Sequence, residues 1–376
     1  MKVLVTDGAN RVALAVVRAL GRAGIQVAVV EQERFALRTP ASFRSRFVSR
    51  HDVIPTLADD GAFIEALAER SRGFDVLLPV STNVILACAA QRDLFPARLP
   101  IPPLNVLRRA NDKSAALAIA RKAGVPIPVT YAPEDEEELD EVASQVRLPA
   151  VVKLRDDAGT VLEPGERYAI GRSPGELRDA YRRLHALKAF PLIQEKVEGP
   201  GYGVGVLAEE GRVLASFSHR RIREYPVTGG PSTICVSVED PRLAGYAAAV
   251  IRGLGWTGVA MVEFKKDDDY RLMEVNPRFW GSLPLATRAG INFPALLCRR
   301  AMGEDIGSPP RYDTGVRLRF LPLDAAAACS ALRHPERRWS YLLGFARDLL
   351  DPGIGDGILD PGDLEASLVY LANHLP

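Results

Sequence analysis

Apolar runs of strand length alternate with amphipathic stretches along the first third of the chain. The runs at residues 3–5, 27–30 and 76–80 predict strands, and apolar residues at helical spacing in 12–23 and 63–69 predict helices. Strand and helix signals in this alternating order are typical of βαβ units and of a parallel, doubly wound sheet.

The loops after the first and third of these strands are predicted walls of a binding site, because ligands of such sheets bind beyond the carboxyl ends of the strands. These loops are the one after Thr6 and the segment Ser81-Thr82-Asn83. A dinucleotide-binding oxidoreductase is one competing interpretation, because the turn at Gly8 leads into a helix. The G-x-G-x-x-G spacing that would support it is absent.

The middle of the chain predicts a second unit of mixed helices and strands. A proline-rich stretch at 99–103 ends the first region, and a helix is predicted from Asn111 to Ala123. The strand predicted at 148–154 carries Lys153. A lysine in an apolar strand either reaches solvent from a sheet edge or meets an anion, because burying an unpaired charge is costly. The pattern alone leaves both interpretations open.

Further along, the pattern predicts a helix at 174–187 and a strand at 192–197, and later a helix at 243–253. Between them, strand patterns at 213–218 and 233–238 flank a segment that we expect to be a loop on the substrate side of the site. That segment contains His219, Arg221, Glu224, Gly229 and Gly230.

Two apolar strand patterns around the acidic turn at 267–269 predict a hairpin that brings Glu263 beside Glu274. Side chains alternate along a strand, so Glu274, Asn276 and Arg278 are expected to project from one face. Carboxylates and an amide oxygen are hard ligands that suit Mg²⁺, and an arginine beside them can hold phosphoryl oxygens. The competing interpretation is a solvated face with surface ion pairs.

The last part of the chain predicts a helix at 294–302 and a strand at 316–321, followed by a tail that begins at Asp324. The tail has helical patterns at 339–350 and 364–375 and no cluster of chemically reactive side chains. We therefore expect it to serve in packing or as an interaction surface.

Composition sets the broad class. The chain has 376 residues, 47% hydrophobic and 25% charged, and a formal net charge of +1. This length predicts two or three domains, and the small net charge argues against nucleic acid or an anionic membrane as a partner. The start of the chain reads as a strand rather than a signal peptide, and the cysteines form no C-x-x-C pair, which favours a reduced, cytoplasmic protein. The cysteines are Cys88, Cys235, Cys298 and Cys329.

Four motifs in this order resemble the ATP-grasp superfamily of carboxylate–amine (or thiol) ligases, in particular the members related to biotin carboxylase, carbamoyl-phosphate synthetase and D-alanine–D-alanine ligase. The resemblance extends to about residue 320 and leaves the tail uncovered. The motifs are Asp112-Lys113, Val151-Val152-Lys153, Gln194-Glu195-Lys196-Val197-Glu198-Gly199 and Met273-Glu274-Val275-Asn276-Pro277-Arg278.

The resemblance implies an α/β and α+β architecture, namely an ATP-grasp fold preceded by an N-terminal Rossmann-like domain. The expected divisions are a Rossmann-like domain at 1–104 and a lid-like ATP-grasp subdomain at 105–190. A C-terminal ATP-grasp subdomain with the metal site is expected at 191–322, and a helical tail of unknown role at 323–376.

The resemblance also implies a role for each matching residue. Lys113 and Lys153 would neutralise nucleotide phosphates, and Arg278 would stabilise the phosphoryl group in transfer, with Arg221 and His219 on the substrate side. The segment expected to hold the nucleotide base and ribose is Gln194, Glu195, Lys196, Val197 and Glu198. The residues expected to hold Mg²⁺, or Mn²⁺ in its place, are Glu263, Glu274 and Asn276.

The implied activity is ATP- and Mg²⁺-dependent ligation of a carboxylate to an amine through an acyl phosphate, with amino-acid-like substrates and a homodimer as the expected assembly. An ATP-binding regulatory or partner protein without ligase turnover is the alternative. Two departures from the family pattern stand out. Gly201 lies where a ribose-binding acid is expected, and the phosphate-covering loop at 155–160 carries two acids instead of a glycine-rich run.

Overall fold

The computed structural model describes residues 1–58, 61–156, 158, 166, 168–226, 230–332 and 338–374. Within these residues the strands form three sheets, two of four strands and one of seven.

The N-terminal sheet is parallel throughout and has the order β3-β2-β1-β4. Its elements are β1 (Lys2–Val5), α1 (Arg11–Arg22), β2 (Gln26–Gln32), β3 (Val48–Ile54), α2 (Ala62–Ser71), β4 (Val76–Leu78) and α3 (Thr82–Ala90). Helix α1 begins after Asn10, whose side-chain oxygen accepts a hydrogen bond from the amide of Val12 at 2.9 Å. The predicted doubly wound arrangement is confirmed for this sheet.

Two helices connect this sheet to the next, α4 (Leu104–Asn111) and α5 (Lys113–Lys122). Their apolar residues, among them Leu107 and Leu117, share a core with Phe264 of the large sheet and with Trp256, which precedes the strand of Phe264. The expected lid at 105–190 therefore begins with helices that pack on the large sheet instead. We expected α4 and α5 in the lid because they precede its strands along the chain. Their apolar faces are instead buried against the large sheet, and this burial determines where they lie.

The small sheet has the order β5-β8-β6-β7 and is antiparallel. Its elements are β5 (Thr130–Tyr131), α6 (Glu136–Gln145), β6 (Ala150–Lys153), β7 (Tyr168–Gly171), α7 (Pro174–Leu187) and β8 (Leu192–Glu195). Strand β6 pairs on both sides, so Lys153 does not lie on a sheet edge and is only 9% exposed. Strand β8 belongs to this sheet, which therefore continues past the expected boundary at residue 190.

The large sheet has the order β13-β12-β9-β10-β11-β14-β15. Its strands are β9 (Gly201–Glu209), β10 (Arg212–Glu224), β11 (Ser232–Val238), β12 (Gly258–Lys266), β13 (Tyr270–Asn276), β14 (Arg317–Arg319) and β15 (Gly355–Asp356). Its helices are α8 (Pro241–Leu254), α9 (Leu283–Arg288), α10 (Phe293–Ala301), α11 (Leu321–Ala331), α12 (Arg338–Leu349) and α13 (Leu364–His374). Trp280 and Phe293, which belong to this unit, share a core with Val16 of helix α1.

The tail is built into the fold at three places. Strand β15 pairs in parallel with β14, so the segment after 322 contributes a strand as well as helices. The half-buried Arg223 of β10 forms ion pairs with Asp324 at 2.6 Å and Asp348 at 2.5 Å. Arg18 of α1 pairs with Asp363 at 2.8 Å. The tail therefore packs against the rest of the chain, and whether it also serves as an interaction surface stays a prediction.

None of the helices in the described part of the chain combines the length and the apolar character needed to cross a bilayer.

Candidate active site

The acidic hairpin forms in the predicted register. Glu263 of β12 lies directly opposite Glu274 of β13, and a bulge immediately afterwards leaves Met273 without a partner in the strand register. The Nδ2 atom of Asn276 lies 2.9 Å from Glu263 Oε1 and 3.5 Å from Glu274 Oε1. Two carboxylates and an amide therefore lie together at the end of the hairpin.

Three cations surround these carboxylates. Lys113 begins helix α5, and its Nζ is 3.4 Å from Glu274 Oε2. Arg221 Nη2 lies 2.5 Å from Glu263 Oε2. The Nζ of Lys153 donates to the backbone oxygen of Met273 at 3.2 Å. The two half-buried acids are therefore close to cations before any ligand binds.

Burial and neighbouring charges shift the pKa values of Glu263 and Glu274 in opposite directions. Burial raises the pKa of Glu263, and the negative Glu274 adds to this effect, although Arg221 opposes it. Burial would also raise the pKa of Glu274, but the charges of Lys113 and Lys153 outweigh burial and lower it. A cation placed between the two acids would favour the ionised form of both.

Burial, reinforced by the neighbouring Lys113, lowers the pKa of Lys153 to about 8. The charges of Glu274 and Glu263 oppose this effect and partly compensate the buried ammonium group. The position of Lys153 inside the sheet and its burial argue against an edge-strand lysine in solvent, and its role in binding phosphate stays a prediction.

A cleft of about 550 Å³ lies between the small sheet and the hairpin, and we call it the interdomain cleft. The predicted residues that line it are Lys113, Lys153, Gln194, Glu195, Lys196, Val197, Arg221, Glu263, Glu274, Asn276 and Arg278. Glu198 is absent from this lining and is exposed, with its carboxylate 2.5 Å from Lys196. His219 is also absent from it and lies at a second cavity.

The segment predicted to contact the nucleotide base lies at the end of β8. Gln194 is buried, and its side chain donates to Thr130 Oγ1 at 2.9 Å. The amides of Glu195 and Lys196 donate to the carbonyl oxygens of residues 129 and 149, at 3.0 and 3.4 Å. Two of the amides of this segment thus hold the small sheet together, and the amide of Val197 follows them at the wall of the cleft.

A second cavity of about 390 Å³ adjoins the first, and we call it the N-terminal cavity. Its walls include Ser81-Thr82-Asn83, which agrees with the sequence prediction, and Asn10 and Arg11 at the start of helix α1. The residues that line both cavities are Thr82, Arg221, Pro231, Glu263, Asn276 and Arg278. The boundary between the cavities therefore holds one acid, Glu263, together with Asn276 and two arginines.

His219 lies in the wall of the N-terminal cavity, 1% exposed, with its Nε2 atom 3.0 Å from Ser282 Oγ. Burial and the adjacent Arg221 lower its pKa to about 3, so its imidazole is neutral at physiological pH. A neutral histidine with so low a pKa can orient a substrate group by a hydrogen bond, but it is a weak base and contributes no positive charge to the cavity.

Several sequence expectations need correction. His219, Arg221 and Glu224 lie in strand β10 rather than in a loop, and Gly229 lies outside the described residues. Charged residues on both faces hid this strand, whose hydrogen bonds to β9 and β11 hold it in place. In the loop at 155–160, only 155, 156 and 158 are described. There, Asp156 forms an ion pair with Lys188.

Sequence reasoning missed Asn10 and Arg11. The rule that ligands bind beyond the carboxyl ends of parallel strands pointed to the loop after Thr6, and Asn10 and Arg11 lie where that loop enters helix α1. Of the residues after the acidic hairpin, Gly281 and Ser282 line the N-terminal cavity, while Trp280 is fully buried in the core.

The described residues contain no group of three or more histidine, cysteine, aspartate or glutamate side chains placed to hold a metal ion. The hairpin instead offers two carboxylates and one amide. This donor set fits Mg²⁺, which is usually bound by one or two carboxylates together with substrate phosphates.

Comparison with known proteins agrees with this geometry. A family model described as "ATP-grasp in the biosynthetic pathway with Ter operon" matches residues 189–322. The carbamoyl phosphate synthase large chain of Methanoculleus marisnigri is 26% identical over 230 residues, which are 57% of this chain and 21% of that protein. A probable alpha-L-glutamate ligase of Methanococcoides burtonii is 27% identical over 221 residues, 55% of this chain and 70% of that protein.

Among solved structures, the biotin carboxylase domain dimer of 2-oxoglutarate carboxylase from Hydrogenobacter thermophilus is similar, with a TM-score of 0.67 and 20% identity. That structure is a complex with MgADP, ADP and bicarbonate, and the similarity covers 84% of this chain and 73% of that one. These similarities confirm the resemblance to the ATP-grasp superfamily, and the fold is an ATP-grasp fold. The chain spans about a fifth of the length of the carbamoyl phosphate synthase large chain.

Proposed function

We propose that the chain is an ATP- and Mg²⁺-dependent ligase that joins a carboxylate to an amine through an acyl phosphate. The observation that carries this proposal is the group of Glu263, Glu274 and Asn276, of which Glu263 and Asn276 line both cavities and Glu274 lines the interdomain cleft. One cavity has the size and the lysines to take a nucleotide, and the other can take the substrate that accepts the phosphoryl group.

In this proposal the interdomain cleft binds ATP. Val197 would supply a backbone donor to the base, and Lys113 and Lys153 would bind phosphate oxygens in place of their present contacts with Glu274 and Met273. Mg²⁺ held by the acids and amide of the hairpin would neutralise the triphosphate and orient its terminal phosphate.

Arg278 and Arg221 line both cavities and would hold the carboxylate against the terminal phosphate. A carboxylate oxygen attacks the γ-phosphorus, the bond to the β-phosphate oxygen breaks, and ADP leaves. An amine nitrogen then attacks the acyl carbon, phosphate departs with the carboxylate oxygen, and the amine loses a proton. The arginines act by positioning and charge neutralisation, which supply most of the catalysis in phosphoryl transfer.

Amino-acid-like substrates are the class that we propose, and the similarity to a probable alpha-L-glutamate ligase supports it. In this proposal each sheet has its own role. The N-terminal sheet forms a wall of the substrate cavity, the small sheet covers the nucleotide, and the large sheet carries the metal site. A homodimer stays a prediction.

The test is ADP release in the presence of Mg²⁺ with pools of amino acids and small carboxylates. We expect turnover with one pool and a loss of at least a hundredfold in Glu274→Gln. Glu304→Gln is the matched control, because Glu304 is a surface residue paired with Arg299. ATP binding without ADP release from any pool would contradict ligase activity and favour the regulatory alternative.

A further inference from the structure

Arg11 is a half-buried cation whose Nη1 atom is fully enclosed, and the proposed reaction does not use it. It follows the N-cap of helix α1 and lines the N-terminal cavity but not the interdomain cleft. Its Nη1 atom is buried and has no hydrogen-bond partner within the described part of the chain. Burial lowers the pKa of Arg11, and leaving such a group uncompensated is costly.

The surroundings hold the guanidinium of Arg11 in place without neutralising it. Its central carbon lies 4.7 Å from the centre of the Phe320 ring, which supports the cation from one side. A β-carbon at Gly281 would lie only 2.6 Å from Arg11 Nη2, so glycine provides the space that the guanidinium occupies. The position is therefore built for an arginine, and what is missing is an anion.

The charges around the cavity support the same conclusion. Its lining contains three arginines and a single carboxylate, and that carboxylate, Glu263, is already paired with Arg221. Helix α3 also begins at this wall. Ser81, the residue before it, donates its hydroxyl to Asp7 at 2.7 Å instead of capping the helix. The carboxylate of Asp7 also accepts from the amides of Val80 and Ser81, so it offsets the dipole of α3 at this wall, and the excess positive charge of the cavity comes from its arginines.

The cations occupy two different parts of the cavity. Arg221 and Arg278 lie at the boundary with the interdomain cleft, where the proposed phosphoryl transfer takes place. Arg11 lies only in the N-terminal cavity. A molecule that pairs with all of these cations needs two anionic groups. One is the reacting group beside Arg221 and Arg278, and the other lies beside Arg11.

We propose that the substrate of this site is a small dianion, whose reacting carboxylate lies at the boundary and whose second carboxylate or phosphate binds Arg11. This inference rests on the proposed function and narrows its substrate class. Arg11 is then a specificity residue, which selects dianions over monoanions of the same length.

The experiment is isothermal titration calorimetry in saturating ADP and Mg²⁺ with matched pairs of probes. Suitable pairs are succinate and butyrate, and glutarate and pentanoate. We expect at least one dianion to bind about tenfold or more tightly than its partner, and Arg11→Met to remove that advantage. The affinity for the monoanions should stay unchanged.

Two further variants test whether Arg11→Met changes affinity only by disturbing the structure. Arg22→Met removes an arginine from the opposite end of the same helix, where it pairs with Asp360, and should leave every affinity unchanged. Gly281→Ala keeps the charge but displaces the guanidinium, so it should lower dianion affinity as well. Circular dichroism establishes that each variant is folded.

The inference is overturned if no dianion binds better than its matched monoanion, or if Arg11→Met weakens both kinds of probe equally. ADP release separates this result from the ligase proposal. If monocarboxylates are turned over at the same rate by wild type and Arg11→Met, the ligase proposal stands and the dianion proposal is wrong. If dianion binding depends on Arg11 but no pool gives ADP release, the dianion proposal stands and the ligase proposal is wrong.

Discussion

The substitution Lys153→Met should stabilise the protein and weaken nucleotide binding at the same time. Lys153 ends strand β6 and is only 9% exposed. Its pKa falls from 10.5 to about 8, chiefly through burial and then through the neighbouring charge of Lys113. A methionine fits a similar volume, removes the charge and keeps the apolar stem.

The magnitude follows from the pKa. A fall from 10.5 to about 8 means that the charged lysine costs the folded state roughly 3 kcal/mol at neutral pH. The lost hydrogen bond to the backbone oxygen of Met273 offsets about 1 kcal/mol of this. We therefore expect the free energy of unfolding of Lys153→Met to rise by about 2 kcal/mol at pH 7.

The pH dependence gives an independent signature of the same effect. Between pH 8 and 10.5 the unfolded chain keeps its proton on Lys153 while the folded protein releases it. The wild type should therefore gain stability as the pH rises through this window, and Lys153→Met should lack that part of the gain.

Urea denaturation at pH 7 and across this window measures the stability, and calorimetry with Mg·ATP measures binding. Loss of a charged contact to phosphate predicts affinity lower by about tenfold to a hundredfold. Lys122→Met, at an exposed position, is the control and should change neither quantity appreciably. A destabilised Lys153→Met protein, or one with wild-type ATP affinity, would refute this reasoning.

Three further predictions concern the scaffold. Burial raises the pKa of Glu31 from 4.5 to about 7, so stability should fall as the pH rises between these values, and urea midpoints of Glu31→Gln should lack that fall. Asp324→Asn removes a buried carboxylate partner of Arg223 and should lower the free energy of unfolding by about 3 kcal/mol, as measured by urea denaturation. This is the lower end of the usual cost of breaking a buried ion pair, because Asp348 still pairs with Arg223. Gly205→Ala places a methyl group 2.1 Å from the Trp280 ring and should cost about 1–3 kcal/mol, visible as a lower Tm and altered indole fluorescence. Unchanged Tm and fluorescence would show that the packing there is looser than described.

Local sequence predicted the parts of the site that depend on local pattern. Alternation along two strands was enough to place Glu263 opposite Glu274, because a short turn fixes the register of a hairpin. The bounds of helix α7 agree with the prediction as well, since Ser173 caps its amide end and proline occupies its first turn.

Sheet membership could not be predicted in the same way, because pairing with distant strands decides it. Strand β8 joins the small sheet, although it follows the boundary expected from sequence order. Strand β3 is an edge strand with several exposed polar residues, so no apolar alternation marks it. The sequence also could not predict that the Nη1 atom of Arg11 lacks a hydrogen-bond partner, because this depends on residues that are distant along the chain and adjacent only in the fold.

The most direct test of the central claim follows an oxygen atom. A carboxylate substrate labelled with ¹⁸O in its carboxyl group is incubated with ATP, Mg²⁺ and an amine, and the released phosphate is analysed by mass spectrometry. Attack of the carboxylate on the terminal phosphate of ATP predicts one labelled oxygen in each phosphate released. Unlabelled phosphate from labelled carboxylate, with oxygen drawn from water instead, would contradict ligation through an acyl phosphate.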